Sequence, residues 1–427
     1  MRWLTGSGIL AIAVAAPLAA QQVEVTLQEA IRRAQDVQPT MVQALGTERN
    51  AGASRLSAYG AYLPTLSVNA STSKGNTGRT DNATGLFIPP VRSYTGGISA
   101  SLELFDGFRR VANLRSAGAT LDAAGAGVVN QRFQVMLSTK QAFYNALATE
   151  ELLRVAQAQV RRAQQQLQIS VEKLRAGSAT RSDSLRSRVE YGNARIALLQ
   201  AQANLATAQA NLGRQIGMDT PVRAVPDTVF PALPDTAALR NRALETAPQV
   251  LQAESQASAA RAQVWSARSQ YWPTLTVSYS DNRQGIKTPQ FPLFDNLPDS
   301  YSWRFGLTWP LFNGFVREQQ QVTASVNRDN AEAQAADTRR QVNAQLTQQL
   351  ATLSTAYEQI SIAQDNLAAA TEDLRVQNER YRVGAATILD LLTSQTALTQ
   401  AEVNVVQTRF NYLITRAQVE AVVGRTL

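Results

Sequence analysis

The sequence predicts an α+β membrane fold built as a tandem repeat, with short amphipathic strands set between helices far longer than a compact domain needs. Three observations carry this expectation. Two proline-free stretches place aliphatic residues at every seventh position through several consecutive heptads. The same landmarks return 207 or 209 positions later. Four short segments alternate apolar and polar residues with period two.

The first long stretch runs from Phe108 to Leu174, with Leu114, Leu121, Val128 and Val135 on one ladder and Leu153, Val160, Leu167 and Leu174 on a second. A seven-residue apolar period held this long reads as a supercoiled helix. At 1.5 Å per residue it reaches on the order of 100 Å. The second stretch, Phe315 to Arg382, carries Leu346, Leu353, Ile360, Leu367, Leu374 and Tyr381, the last four lying 207 positions after Leu153, Val160, Leu167 and Leu174. The spacing predicts a tandem duplication, with one structural repeat over 21–217, a proline-rich linker over 218–235 (Pro221, Pro226, Pro231, Pro234) and a second repeat over 236–427.

Composition narrows the chemistry. The 427 residues include no cysteine and no histidine, which removes thiol nucleophiles, imidazole bases and the usual zinc or copper ligands. With only four methionines besides, metal-relay sites are not expected. No catalytic residue, metal site or cofactor is predicted. The net charge of +8 comes from basic residues spread singly or in pairs along the helices, with no interleaved aromatics. It describes a solvated face, and no nucleic-acid partner is predicted. At the amino terminus, Arg2, the apolar run Ile9 to Ala16 and the small pair Ala19 and Ala20 predict a signal peptide over 1–20 and export from the cytoplasm. No later run supplies the roughly 18–20 apolar residues of a spanning helix, so any membrane crossing is made by strands.

In chain order, Thr26 to Tyr62 reads as helix interrupted at Pro39, and Asp235 to Tyr271 repeats it with Pro248, 209 positions on. YLPTLSV at Tyr62 and YWPTLTV at Tyr271 then mark the change to strand, because proline disfavours helix in the residue before it. Strands are predicted over about 65–73, 94–105, 274–282 and 301–310. Leu66, Val68 and Ala70 share one face of the first, Ile98, Ala100, Leu102 and Leu104 of the second, Leu275, Val277 and Tyr279 of the third, and Trp303, Phe305, Leu307 and Trp309 of the fourth. Aromatics crowd the second pair and its flanks (Tyr271, Trp272, Tyr279, Phe291, Phe294, Tyr301, Trp303, Phe305, Trp309, Phe312, Phe315), as an interfacial girdle requires. The joining loops, Thr72 to Ser93 and Asn282 to Ser300, are polar and carry Gly and Pro. Four strands cannot close a barrel, and lipid tolerates no open edge. Oligomerisation is therefore expected. Three copies giving twelve strands leave a lumen comfortably, and a dimer or a tetramer also satisfies the arithmetic.

The chain re-enters helix through LFDGF (Leu104 to Phe108) and LFNGF (Leu311 to Phe315), with Asp106 and Asn313 as N-caps. The long helices, about 108–176 and 315–383, end in LRAGSATRSDSL and YRVGAATILDLL. There Gly177 and Gly384 suit the left-handed C-cap, Arg175 and Arg382 sit beside the last carbonyls, and Thr180 with Asp183 and Thr387 with Asp390 have capping-box spacing. Returning helices follow over about 180–216 and 387–424. The first carries Leu185, Val189, Gly192, Ile196, Leu199, Ala203, Ala206 and Ala210 in steps of four and three, the second a looser stripe of Leu398, Ala401, Val405 and Tyr412.

This ordered set, present twice and completed by FNYLITRAQVEAVVG near the carboxyl end, resembles the TolC family of outer-membrane efflux channels over essentially the whole mature chain. The resemblance implies a homotrimer with a twelve-stranded β-barrel in outer-membrane lipid, continued by a long α-helical coiled-coil barrel across the periplasm. It implies a periplasmic adaptor (membrane fusion) protein at the tips and an inner-membrane pump that supplies energy. By the same resemblance Arg175, Ala176, Gly177, Arg382, Val383 and Gly384 are adaptor contacts, Asp390 lines the periplasmic entrance, and Asp183 and Tyr381 tie neighbouring helices when it is closed. Thr393 stands where the family has a second entrance aspartate and Ala386 where it has a latch arginine, so the entrance is expected to be less negative and less tightly latched.

The function expected is a passive outer-membrane exit duct of a tripartite efflux or type I secretion system, with no reaction of its own. The competing reading is a secreted coiled-coil structural or adhesive protein with a small soluble β-domain. It accounts for heptads, export and missing catalytic groups, but not for two equivalent hairpins each joined to a helix about 100 Å long.

Overall fold

The computed structural model describes residues 23–226, 230–235, 239–240, 246–289 and 296–427. The expected signal peptide, Phe291, Phe294 and part of the linker lie outside the described residues. The chain forms two compact units, one comprising the residues up to Gln38, Val135–Leu233 and Leu353–Ala417, the other Pro39–Gln134, Pro234–Thr352 and Gln418–Leu427.

The second of these units holds the main sheet. Helix α2 (Pro39–Gly60) starts on proline, whose missing N–H is harmless in a first turn, and α5 (Pro248–Arg268) does the same. The prolines are thus helix starts, with α1 (Leu27–Val37) ending just before Pro39. Strands β2 (Thr65–Lys74), β5 (Arg92–Phe105), β7 (Thr274–Gly285) and β8 (Asp299–Thr308) form one antiparallel sheet in the order β2-β5-β7-β8. The first joining segment is more ordered than a plain loop. It folds a small hairpin of β3 (Arg79–Thr80) against β4 (Phe87–Ile88).

Two long helices follow the sheet hairpins, α3 (Arg109–Arg175) and α6 (Val316–Arg382), each of 67 residues. Each begins after a matching left-handed pair, Gly107 (φ 66) with Phe108 (φ 67) and Gly314 (φ 68) with Phe315 (φ 64). Asp106 and Asn313 therefore cap from outside the helix, accepting from the backbone N–H of Arg110 at 2.9 Å and of Arg317 at 3.5 Å. Arg110 and Arg317 return the favour by bonding the carbonyls of Leu104 (3.1 Å) and Leu311 (3.0 Å) and lying over the rings of Tyr62 and Tyr271.

The returning helices are α4 (Arg181–Gln215), in the other unit, and α7 (Ile388–Val423), which belongs to that unit as far as Ala417. The described residues of the linker are tied down, which its prolines alone did not indicate. Strand β6 (Val222–Ala224) pairs in parallel with β1 (Val23–Val25), and Arg223 between them bonds Glu24 at 3.0 Å and Glu150 of α3 at 2.7 Å. Further on, Tyr412 of α7 donates to the Pro231 carbonyl at 3.2 Å and stacks on Phe230 and Tyr357.

Heptad expectations hold unevenly. Leu346, Leu353, Ile360, Leu374 and Tyr381 are buried, but Leu153, Val160, Leu167 and Leu174 are only half-buried, because α3 turns Ala156, Ala163, Gln166 and Ser170 inward instead. On α4 the expected seam faces outward: Leu185 is 52%, Val189 62%, Ile196 68% and Leu199 64% exposed.

Candidate functional site

Two places gather the residues that the sequence singles out: the hairpin tips and the sheet faces. At each tip the long helix stops in a Schellman arrangement. Ser178 N–H donates to Lys173 O (2.8 Å) and Gly177 N–H to Leu174 O (3.0 Å), and Ala385 N–H donates to Arg380 O (2.7 Å) and Gly384 N–H to Tyr381 O (3.3 Å). Gly177 and Gly384 have φ of 73° and 80° with open space where a Cβ would stand, so backbone conformation, not crowding, requires glycine there. Arg175, Ala176, Gly177, Arg382, Val383 and Gly384 are all exposed. Arg382 pairs with Glu379 at 3.0 Å.

The next helices begin with reciprocal caps. Asp183 accepts from Thr180 N–H at 3.0 Å while Thr180 Oγ1 accepts from Asp183 N–H at 3.2 Å, and Asp390 and Thr387 repeat this at 2.9 and 3.2 Å. Hydrogen bonds from the Thr387 backbone and hydroxyl, aided by Arg380, hold the exposed Asp390 carboxyl below its ordinary value. Thr393 is exposed and donates to the Leu389 carbonyl at 2.9 Å.

Tyr381 is buried against Leu374, Ile388, Leu391 and Leu398, and its hydroxyl has no hydrogen-bond partner among the described residues. Within one chain neither Asp183 nor Asp390 reaches it. The group that does is Lys173 of α3, whose Nζ lies 3.9 Å from the centre of the Tyr381 ring and donates to the Tyr381 carbonyl at 2.6 Å. Arg175 and Arg382 lie in the last turns of their helices, as expected, but neither is the group that bonds a carbonyl at the tips. Lys173 and Arg380, each four residues before a tip glycine, make such bonds, Lys173 to the Tyr381 carbonyl of the other long helix and Arg380 to Ala385 O in its own turn at 3.3 Å. A basic residue recurring at that offset was the signal available in sequence. Two further ties had none: Arg162 of α3 forks onto Glu402 of α7 (3.0 and 2.8 Å), and Ser394 of α7 donates to Asp373 of α6 at 2.5 Å.

The sheet register sorts side chains onto two faces. Directly opposed residues share a face, so Leu66, Ala100, Tyr279 and Trp303 form one row, Leu102, Val277 and Phe305 the next, and Leu275 and Leu307 another. On the reverse face Ser67, Ser99, Ser280 and Ser302 form a row, beside Thr65, Ser101, Ser278 and Arg304. The apolar face is uncovered, with Leu66, Val68, Trp303, Phe305 and Leu307 all more than half exposed. Charged residues on that face are confined to its loop end, where Lys74 is paired with Arg92 and Arg283 with Asp299, and where Asp281 also lies. Among the described residues, strands β2 and β8 have no partner on their outer edges.

Comparison with known proteins agrees with this geometry. The family described as outer membrane efflux protein matches twice, over residues 27–218 and 239–425. Among curated relatives, protein CyaE of Bordetella pertussis is 26% identical over 282 residues, 63% of this chain and 57% of its own length. The pyoverdine export outer membrane protein OpmQ of Pseudomonas aeruginosa is 26% identical over 422 residues, covering 95% of this chain and 84% of the relative. Among solved structures, outer membrane protein VceC of Vibrio cholerae superposes with a TM-score of 0.82 at 19% identity, covering 94% of this chain and 96% of that one. With the family matched over most of its length in two successive passes, the chain belongs to the outer membrane efflux protein family, the TolC-type channels of the outer membrane.

Proposed function

We propose that the chain is the exit duct of a tripartite efflux or type I secretion system. It acts as a homotrimer whose three four-stranded sheets join into a twelve-stranded barrel, with the helical hairpins forming an α-helical barrel in the periplasm. The observation that carries this is the sheet: an exposed apolar face free of charge through its middle, an uncharged hydroxyl-rich reverse face over most of its rows, and two open edges. In water the apolar face is a liability, and in lipid the open edges are. Copies that share edges remove both problems. The exposed stripe on α4 supports the same assembly, as the described residues of its own chain leave it uncovered.

The double family match and the paired junctions at Arg110 and Arg317 support repeats over 21–217 and 236–427. The exposed tips, Arg175 to Gly177 and Arg382 to Gly384, receive a periplasmic adaptor protein, and an inner-membrane pump does the energetic work. Asp183, Asp390 and Thr393 stand at the entrance. Tyr381, held by Lys173, sets the closed position of the helices there. Symmetry-related Asp390 carboxylates, kept ionised by their caps, favour cations at that entrance. A secreted structural filament leaves the apolar sheet face unexplained.

The test is purification from membranes followed by planar-bilayer recording. A detergent-dependent trimer that conducts is expected, and Asp390→Ala should raise conductance or weaken its cation preference. A monomer that stays in solution without detergent would sink the proposal.

A further inference from the structure

On the polar face of the four strands, Glu103 and Arg304 are the only charged side chains among the described residues. Glu103 is neutralised, as one Arg109 nitrogen bonds both of its oxygens at 3.0 and 2.7 Å. Arg304 is exposed and has no acidic or hydrogen-bonded partner among the described residues. Its cross-strand row is otherwise Thr65, Ser101 and Ser278, and its neighbours along the same face of β8 are Ser302 and Gly306. On the opposite face it is flanked by Trp303 and Phe305, so this cation sits at the level of the apolar band rather than at the loop end with Asp281, Arg283 and Asp299. A guanidinium does not deprotonate at any relevant pH. A charge backed by an apolar wall also acts across a lumen with its field focused.

We propose that Arg304 is a specificity-determining residue, one from each copy forming a cationic ring in the barrel that favours solutes carrying carboxylate, phosphate or sulfate groups. The assignment rests on the barrel reading above. Every other group facing the lumen from the strands is neutral or paired, so three unpaired guanidinium groups set the sign of the field at that level.

The experiment uses the full-length trimer in neutral-lipid planar bilayers under a potassium chloride gradient. All variants carry Asp390→Asn, so that the tip carboxylates do not set the reading. Arg304→Gln should lower the chloride-to-potassium permeability ratio at least about threefold, the Boltzmann factor of one unit charge at about 7 Å in water. Arg304→Lys should keep the ratio, Arg304→Glu should carry it further toward potassium, and the differences should shrink as salt rises. If Arg304→Gln fails to assemble, block of the parental chloride current by sulfate gives an independent reading, and absence of block at low salt counts against the ring. Conducting channels with one ratio for Arg, Gln and Glu overturn the assignment and leave the barrel intact. A parental protein that neither trimerises nor conducts overturns the barrel, and the ring with it.

Discussion

The two helical hairpins share a design of 67-residue helix, Schellman tip and capping box, yet their seams differ in what they bury. Between α6 and α7 the seam is mainly apolar, with Leu374, Tyr381, Ile388, Leu391 and Leu398 beside one polar tie, the buried Ser394 donating to Asp373. Between α3 and α4 it is polar and small, with Gln166 donating to Ser170 (3.2 Å) and the Ser170 and Ser187 hydroxyls bonded at 2.8 Å, all three buried. The aliphatic residues that the first hairpin keeps out of its seam appear on the outer face of α4. The second hairpin packs aliphatic side chains into its own seam, while the first leaves a stripe of them exposed on α4. Under the trimeric reading, the repeated backbone thus presents two different surfaces, as a head-to-tail ring of three copies requires.

The contrast can be attacked directly. The largest effect is expected from charging the open stripe. Ile196→Asp with Leu199→Asp should abolish the oligomer on size exclusion in detergent while far-ultraviolet circular dichroism keeps its helical signal. An intact trimer would mean that the stripe faces solvent or lumen. Next comes the closed seam, where Leu391→Ala in the second hairpin should cost about 2–5 kcal/mol of unfolding free energy. Ser187→Ala in the first should cost only about 1 kcal/mol, since Ser170 keeps its bond from Gln166. Equal losses in denaturant titrations would erase the distinction.

The smallest effect concerns Asp390. Its carboxyl is lowered from 3.8, first by the Thr387 backbone hydrogen bond and then by the Thr387 hydroxyl. The stability it contributes is therefore complete above that ordinary value and disappears as pH falls through the depressed one. Amide protection at the start of α7, taken relative to the intrinsic exchange rate at each pH, should fall below about pH 4 in the parent and show no such step in Asp390→Asn.

Much of the architecture was legible before any coordinates. Period-two alternation at Leu66, Val68 and Ala70 or at Trp303, Phe305 and Leu307 fixes strands and their faces, and a ladder such as Leu346, Leu353 and Ile360 fixes a helix. Proline and glycine then punctuate, as Pro39 and Pro248 open helices and Gly177 and Gly384 close them. What period cannot supply is the partner of a stripe. The spacing of Leu185, Val189, Ile196 and Leu199 is the same whether their own chain or another covers them. Three-residue strands such as β1 and β6 carry no period at all, so their pairing was invisible. At the tips the capping roles of Asp183 and Asp390 were readable from local offsets, whereas the meeting of Lys173 with Tyr381 joins residues 208 positions apart. Arg304 falls on the polar face by its alternation with Trp303 and Phe305, but its isolation depends on Arg109 being engaged by Glu103, which no period shows.

The raw outer edges of β2 and β8 also have a kinetic meaning. Under the trimeric reading, a lone copy entering a bilayer carries unsatisfied amides along two strands, and a pair of copies still carries two such strands, so no stepwise ladder of stable intermediates leads into the membrane. Insertion and closure then have to be one event, whose rate climbs steeply with the number of chains waiting at the surface.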